Sequence, residues 1–259
     1  MSRGLYNFFD LGIRTERNAT ISYLSTMQAK IYMVPCPIIE NGISSLPPAT
    51  LEVLHSLDHF IVERARTARR FIKESGHPKP IQELEILELD KHSKNPELKS
   101  FILKAKEGIS IGVISEAGCP GVADPGAEIV DIAHREDIKV SPCVGPSSIL
   151  LALMSSGMSG QSFCFNGYLS NKRPALVKQL RELESRSNKR QETQIFMDAP
   201  YRNEFLLTTC KEALRPDTKV CVAVDISADT EYIKTKKIKD WQTSEFKAFH
   251  KRPAIVMIG

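Results

Sequence analysis

From Lys30 onward, short apolar runs alternate along the chain with longer segments whose apolar residues recur at helical spacing. Ile31–Val34 is an apolar run stopped by Pro35 and Pro37, which predicts a buried strand. Pro47-Pro48 opens a helix through Leu57, with Leu51, Val53, Leu54 and Leu57 on its apolar side. Phe60–Val62 predicts a second strand, and Ala65–Glu74 a helix stopped at Gly76. Asn95-Pro96 starts a helix that ends at Gly108, and Ile109–Ser115 follows as a strand. Asp124-Pro125 opens the next helix, with Asp at the N-cap and Pro at the first helical position. Val140–Val144 leads through Gly145-Pro146-Ser147-Ser148 into an apolar helix from Ile149 to Ser155.

The alternation resumes with a strand at Phe163–Leu169, a charged helix from Pro174 to Arg186 and a strand at Thr193–Met197. A helix from Asn203 to Leu214 is stopped by Pro216, and strands follow at Val220–Val224, Glu231–Lys234 and Ala254–Ile258. Repeated strand–helix alternation predicts an α/β fold with largely parallel or mixed sheets covered on both faces. About nine strands over this length fit two small α/β lobes, residues 30–145 and 146–259, meeting near Gly145-Pro146. Residues 1–29 carry neither clean periodicity nor caps, so they are expected to be an N-terminal arm or, if the chain starts at Met27, a mis-assigned start.

Composition adds exclusions. At 42% hydrophobic and 25% charged, the chain resembles an ordinary folded enzyme. No apolar run approaches the ~20 residues a membrane helix needs. Asp10, Arg14, Glu16 and Arg17 break up the N-terminus, which therefore lacks the apolar stretch of a signal peptide. Six cysteines without a CxxC or a close pair predict reduced, mostly buried thiols and a cytoplasmic location. A net charge of +4 permits a nucleic-acid partner without requiring one. Two runs are locally basic: Arg64, Arg66, Arg69, Arg70 and Lys73, then Lys172 to Arg190 with seven Lys or Arg against Glu182 and Glu184.

In open α/β sheets, ligands bind outside the carboxyl ends of the strands, so the loops after strands carry the chemistry. Ser115-Glu116-Ala117-Gly118-Cys119-Pro120-Gly121-Val122-Ala123-Asp124-Pro125-Gly126 packs three Gly and two Pro into one such loop. Glycine lets backbone approach a ligand closely, and proline holds a loop in one shape. Gly145-Pro146-Ser147-Ser148 presents open N–H groups at a helix start, suited to a carboxylate or phosphate. The chain contains neither GxGxxG nor GxxxxGK[ST] nor GxSxG. His55 and His59 stand four apart but lack a third ligand, so no metal is expected.

The first of these loops resembles the "SDAGTPgisDPG" loop of the tetrapyrrole methylase superfamily. Ile31-Tyr32-Met33-Val34-Pro35-Cys36-Pro37-Ile38 resembles "LYxVPTPIGN", Gly145-Pro146-Ser147-Ser148 "GPSA", and Phe165-Asn166-Gly167-Tyr168-Leu169 "FEGFLP". Ile195-Phe196-Met197-Asp198-Ala199-Pro200-Tyr201-Arg202 resembles "IFYESPHR", which points to the branch of small-subunit rRNA cytidine 2′-O-methyltransferases. The resemblance runs from about Lys30 to Gly259. It implies a homodimer of two-lobed chains with S-adenosylmethionine in the inter-lobe cleft. The cofactor-binding positions it implies are Pro35, Cys36, Ser115, Ala117, Gly118, Pro120, Asp124, Ser147, Ser148, Met197 and Pro253. Ser147 and Ser148 offer donors to a carboxylate, while Gly118, Pro120, Met197 and Pro253 offer an apolar slot to adenine.

On the acceptor side, Arg66 and Arg202 are expected to hold substrate, with Glu63, Lys172 and Asp198 as base or orienting cation. Here the chain departs from the pattern. "EDTR" becomes Glu63-Arg64-Ala65-Arg66, "ESPHR" becomes Asp198-Ala199-Pro200-Tyr201-Arg202, the loop's usual Thr is Cys119, and "KGEF" becomes Lys251-Arg252-Pro253-Ala254. The expected activity is methyl transfer to an rRNA ribose 2′-oxygen, with an rRNA or ribosomal-subunit partner and no membrane. A tetrapyrrole or other small acceptor, or a non-catalytic cofactor- or RNA-binding regulator, stands as the alternative.

Overall fold

The computed structural model describes residues 29–89, 96–123 and 126–259. The expected arm, Met27, Asn95 and the Asp124-Pro125 cap lie outside the described residues. The first half of the chain runs β1 (Lys30–Val34), α1 (Pro48–His55), β2 (His59–Val62), α2 (Ala65–Glu74), β3 (Glu85–Glu88), α3 (Pro96–Leu103), β4 (Ile111–Ile114), α4 (Ala127–Arg135) and β5 (Lys139–Pro142). The second runs α5 (Ser148–Ser156), β6 (Phe163–Tyr168), α6 (Arg173–Arg190), β7 (Thr193–Met197), α7 (Asn203–Ala213), β8 (Lys219–Val224), β9 (Tyr232–Lys237), α8 (Thr243–Ala248) and β10 (Ala254–Ile258).

These strands form two five-stranded sheets, ordered β3-β2-β4-β1-β5 and β6-β7-β10-β8-β9. The first is wholly parallel, with Ile31 opposite Ile111 and His59 opposite both Ile111 and Glu85. Its central strands are apolar on both faces, as burial under helices on each side requires. One face packs Ile31, Ile61, Ile111 and Val113 on α3 and α4, the other Val34, Phe60, Val62 and Ile114 on α1 and α2. Gly112 sits where a Cβ would fall 2.8 Å from the Phe60 ring, so that ring lies directly on the backbone of β4.

The second sheet is mixed: β6 and β7 are parallel, and β10 runs antiparallel to both β7 and β8. Trp241, Phe246 and Phe249 pack on one face with Leu176, Leu180, Leu206 and Val222, and α5 covers the other.

Several expected elements shift. β3 was not expected, because Glu85-Ile86-Leu87-Glu88 is short and half charged; it forms as an edge strand that His59 and Lys104 hold through Glu85. α8 was not expected either. Its N-cap is Gln242, an uncommon cap, whose N–H donates to Glu245 Oε2 at 2.9 Å. The strand expected at Val140–Val144 leaves the sheet after Pro142, and that at Ile109–Ser115 is confined to Ile111–Ile114. α6 continues one turn beyond Arg186, until Gln191 adopts a left-handed φ of 53°. The strand begun near Glu231 runs on to Lys237. His55 and His59 turn to different partners, Ser75 and Glu85 respectively. Among the described residues no His, Cys, Asp and Glu cluster could hold a metal ion, and no helix is long and apolar enough to cross a membrane.

Trp241 is fully buried, contacts the rings of Tyr232, Phe246 and Phe249, and donates Nε1–H to Val220 O at 3.2 Å. Trp241→Ala is expected to cost about 3–5 kcal/mol in urea unfolding, and a loss below about 1 kcal/mol would contradict this packing.

Candidate active site

In the parallel sheet, β1 and β4 are neighbours, and the helices that follow them, α1 and α4, pack on opposite faces. A crevice opens at the carboxyl ends of such strands. Three loops converge there. The chain leaving β1 pairs with the loop after β4: Cys36 N–H donates to Gly118 O at 2.8 Å, and Gly118 N–H returns a bond to Cys36 O at 3.1 Å. Gly118 has a left-handed φ of 70°, the conformation that makes glycine apt here. Cys36 Sγ–H donates to Ser115 O at 3.3 Å, and Cys119 Sγ–H to Pro146 O at 3.4 Å, which ties in the loop after β5. Thr50 Oγ1 anchors that third loop through Val144 O at 2.7 Å. Burial raises the pKa of the Cys119 and Cys143 thiols, so both stay protonated at neutral pH.

Beyond Pro37 the chain crosses to the second sheet, where Ile38 packs against the apolar cluster that includes Ile149, Ile195, Ala223 and Ile255. A cleft of about 440 Å³ lies between this segment and the second sheet. Ile38, Ile39 and Glu40 form one wall; Ser148, Tyr168, Met197, Asp198, Ala223, Asp225, Pro253 and Ile255 form much of the rest. The opposing directions of β10 and its neighbours explain the assembly. The ends of β7 and β8 and the start of β10 meet at one edge, with Met197 and Ala223 both opposite Ile255.

Two carboxylates on this wall are each held by an arginine. Asp198 Oδ2 accepts Arg202 Nε–H at 2.8 Å while Oδ1 accepts Ala199 N–H at 2.8 Å, and the carboxylate is only 7% exposed. Asp225 Oδ2 accepts Arg252 Nε–H at 2.8 Å and Thr230 Oγ1–H at 2.8 Å, and its N–H donates to Pro253 O at 2.9 Å. Arg202 Nη2 is buried and finds no hydrogen-bond partner among the described residues.

The expected site residues separate accordingly. Ser148, Met197, Asp198 and Pro253 line the cleft, and Ser147 caps α5 beside it. Pro35 and Pro120 face a different, largely apolar cavity of about 640 Å³ with Cys119 and Cys143. Cys36, Ser115 and Ala117 line a third, of about 240 Å³, against α2. Gly118 stands next to Ile38 and Pro146. Asp124 lies outside the described residues. The acceptor-side set does not converge. Glu63 is buried at the end of β2, accepting the Glu116 N–H at 3.3 Å, and is not among the residues lining the cleft. Lys172 stands exposed at the N-cap of α6, and Arg66 lies exposed on α2. Arg202 reaches Asp198.

Sequence reasoning missed Asp225, Arg252, Tyr168 and the Ile38–Glu40 wall as parts of this site. Asp225 directly follows the apolar run Val220–Val224, so the end-of-strand rule was the signal for it. Arg252 stands out in sequence only as a departure from the family pattern, and its partner is 27 residues away.

With this geometry established, the tetrapyrrole (corrin/porphyrin) methylase family pattern matches residues 40–242, and the chain belongs to that family. The membership makes it a methyltransferase of the S-adenosylmethionine-dependent class. Among characterised relatives, it is 28% identical to ribosomal RNA small subunit methyltransferase I of Vibrio cholerae, over 78% of this chain and 67% of that protein. It is 31% identical to the protein of the same name from Bacillus subtilis, over 78% of this chain and 65% of the relative. The matches thus span about two thirds of those relatives' length. Among solved structures, diphthine synthase superposes with a TM-score of 0.62 at 15% identity, covering 89% of each chain. Cobalt precorrin-4 methyltransferase gives 0.59 at 15% identity, covering 90% of this chain and 96% of that one. These two likenesses concern the fold.

The loop geometry is sensitive at Gly145, where a Cβ would lie 2.3 Å from Pro35 Cβ and 2.6 Å from its Cγ. Gly145→Ala is expected to destabilise by about 1–3 kcal/mol in thermal unfolding through this overlap. Gly160→Ala, with nothing within 4 Å of its Cβ position, serves as the control and should stay within about 0.5 kcal/mol. Equal stability of the two variants would refute the close approach.

Proposed function

We propose that the cleft holds S-adenosylmethionine and that the chain methylates ribosomal RNA on a ribose 2′-oxygen. The observation that carries this reading is the pairing, within one cleft, of an apolar slot with a helix N-terminus. Met197, Ala223, Pro253 and Ile255 suit a flat adenine, and the open amides at the start of α5, with the Ser148 hydroxyl, suit the amino-acid carboxylate. The residues present therefore fit the cofactor. When bound, it supplies a methyl group already activated on a sulfonium, so the protein's task is alignment and exclusion of water. Ile38 and Ile39 shield one side of the cleft from water. Asp198, fixed by Arg202 and its own loop, is the expected acidic residue that lines the cleft, and we assign it the orienting of the acceptor hydroxyl. The exposed rings of Tyr168 and Tyr201, 62% and 64% accessible, offer stacking faces to an unstacked base near the cleft mouth. The names of the relatives from Vibrio cholerae and Bacillus subtilis support rRNA as the acceptor.

A tetrapyrrole acceptor is the second reading, favoured by the apolar cavity that Met33, Pro35, Pro120, Val122 and Val130 line. Calorimetry with S-adenosylmethionine or its demethylated product is expected to show one site per chain; no binding would discard the proposal. Mass mapping of rRNA nucleosides from a strain lacking the gene should show one ribose methylation lost. Unchanged rRNA would refute the acceptor and leave the macrocycle reading to be assayed directly. Asp198→Asn should lower kcat by about 10²-fold while cofactor affinity changes less than about threefold.

The same proposal includes a cytoplasmic homodimer. Val144, Leu150 and Met154 are 73%, 51% and 79% exposed, and the last two stand four apart on α5, an apolar stripe suited to a second copy. Light scattering should report a dimer for the native chain and a monomer for Leu150→Glu/Met154→Glu; a native monomer would refute it.

A further inference from the structure

We propose that the outer face of α2 is a docking rail for the phosphate backbone of an RNA strand, leading to the mouth of the cleft; this rests on the RNA reading above. α2 is sharply two-sided. Ala68, Phe71 and Ile72 are buried against the sheet, and Arg66, Arg69, Arg70 and Lys73 are exposed. At 3.6 residues per turn, those four cations fall within an arc of about 100°. Arg70 faces Glu40 at 3.7 Å and Glu74 at 3.9 Å. Arg66, Arg69 and Lys73 form no ion pair among the described residues, and their spacings of three and four residues place them in one row about 10 Å long.

α6, the other basic run, is built differently. Arg173 is paired with Glu212, Lys178 with Glu182 at 3.9 Å and Arg186 with Glu192 at 3.1 Å. Lys172 precedes the helix as its N-cap, and the cations on the helix itself that form no ion pair among the described residues, Arg181, Lys189 and Arg190, point around it; Arg181 and Arg190, nine residues apart, are on opposite sides. Only α2, of these two helices, presents unneutralised charge as a row.

Its placement also favours it. α2 leaves the carboxyl end of β2 and returns along the sheet to the parallel β3, so Arg66 lies nearest the loop end and Lys73 farthest. Thr67, Ala68, Arg70 and Phe71 face the Cys36–Ile43 segment across one cavity, and Ile38–Glu40 of that segment form a wall of the cleft. One stretch of chain thus separates the rail from the site. The choice of phosphodiester over lipid follows from burial: the apolar face of α2 is spent on the core and cannot enter a bilayer.

The test is equilibrium binding of unmodified small-subunit rRNA, transcribed in vitro and fluorescently labelled, across a potassium chloride series. Arg66→Gln/Arg69→Gln/Lys73→Gln should weaken binding at least about tenfold at low salt and flatten the slope of log K against log salt by about 2, at roughly 0.7 for each phosphate no longer neutralised. Its thermal midpoint and its affinity for S-adenosylmethionine should match those of the native chain. Arg181→Gln/Lys189→Gln/Arg190→Gln removes the same charge and should keep the native slope. Unchanged affinity and slope in the α2 variant, or equal losses in both variants, would overturn the rail. So would loss of binding to phosphatidylserine vesicles in the α2 variant with rRNA binding intact, which would favour a membrane. If the native chain binds S-adenosylmethionine but not the rRNA, the acceptor reading falls with the rail. If it binds rRNA with a slope the α2 variant shares, the rail alone falls.

Discussion

The rest of the site depends on the pair of backbone hydrogen bonds between Cys36 and Gly118, which tie the exit of β1 to the Gly- and Pro-rich loop after β4. An isolated two-bond bridge contributes little by itself, on the order of 1 kcal/mol per bond. Its importance is geometric. Pro35 and Pro37 flank the bridge and restrict the chain on both sides, so the direction in which β1 leaves its sheet is set by the bridge. That direction delivers Ile38 into the apolar cluster under α5 and makes Ile38–Glu40 a wall of the cleft. Gly145 completes the arrangement by letting the loop after β5 lie directly on Pro35.

Across the cleft, the carboxylates of Asp198 and Asp225 are each held by an arginine, and both pairs explain departures from the family pattern. In Asp198-Ala199-Pro200-Tyr201-Arg202, one turn of 3₁₀ helix at Pro200–Arg202 brings the guanidinium back onto the shortened acidic side chain. In Lys251-Arg252-Pro253-Ala254, Arg252 holds the Asp225 loop and also donates Nη2–H to Thr230 O at 2.6 Å. The Asn203 amide supports the same turn through Phe249 O and Arg252 O. Partly buried charge pairs of this kind are costly to break from one side, so they keep the cleft wall in one shape. The altered motifs therefore form a connected wall in place of the usual residues.

Charge elsewhere follows a related division. The net charge of +4 averages over cations that acidic neighbours neutralise and a few that none does. Lys237 and Lys239 share Asp217, holding its carboxyl down at about 2, and Lys99 and Lys106 do the same to Glu136. On α2, Arg66, Arg69 and Lys73 stay unneutralised. A field that reaches an anionic partner comes from such residues more than from the total, since paired charges cancel within a Debye length.

The sequence by itself determined the α/β alternation and the Gly- and Pro-rich loops that follow the strands, because both are written in short-range pattern. Apolar runs such as Ile31–Val34 and Val220–Val224, bounded by Pro and charged residues, need no distant partner to be recognised. The family likeness rests on the same contiguous loops. Only the tertiary structure decided which residues share a cavity. The motifs group Pro35, Cys36 and Met197 in one cofactor site, yet they face three different spaces: Pro35 and Cys36 because adjacent residues in an extended segment point to opposite sides, and Met197 because it ends a strand of the second sheet. They likewise group Glu63, Lys172 and Asp198 in one acceptor set, and these lie apart, since each terminates or caps a different element. β3 and α8 escape a local reading for a kindred reason: an edge strand held by Glu85 and a helix capped by Gln242 depend on long-range pairing and on an uncommon cap. Both basic runs are visible in sequence, but the ion pairs that neutralise much of α6 and leave a row of cations open on α2 are not. Periodicity is local information, whereas partnership between charges is a property of the packed chain.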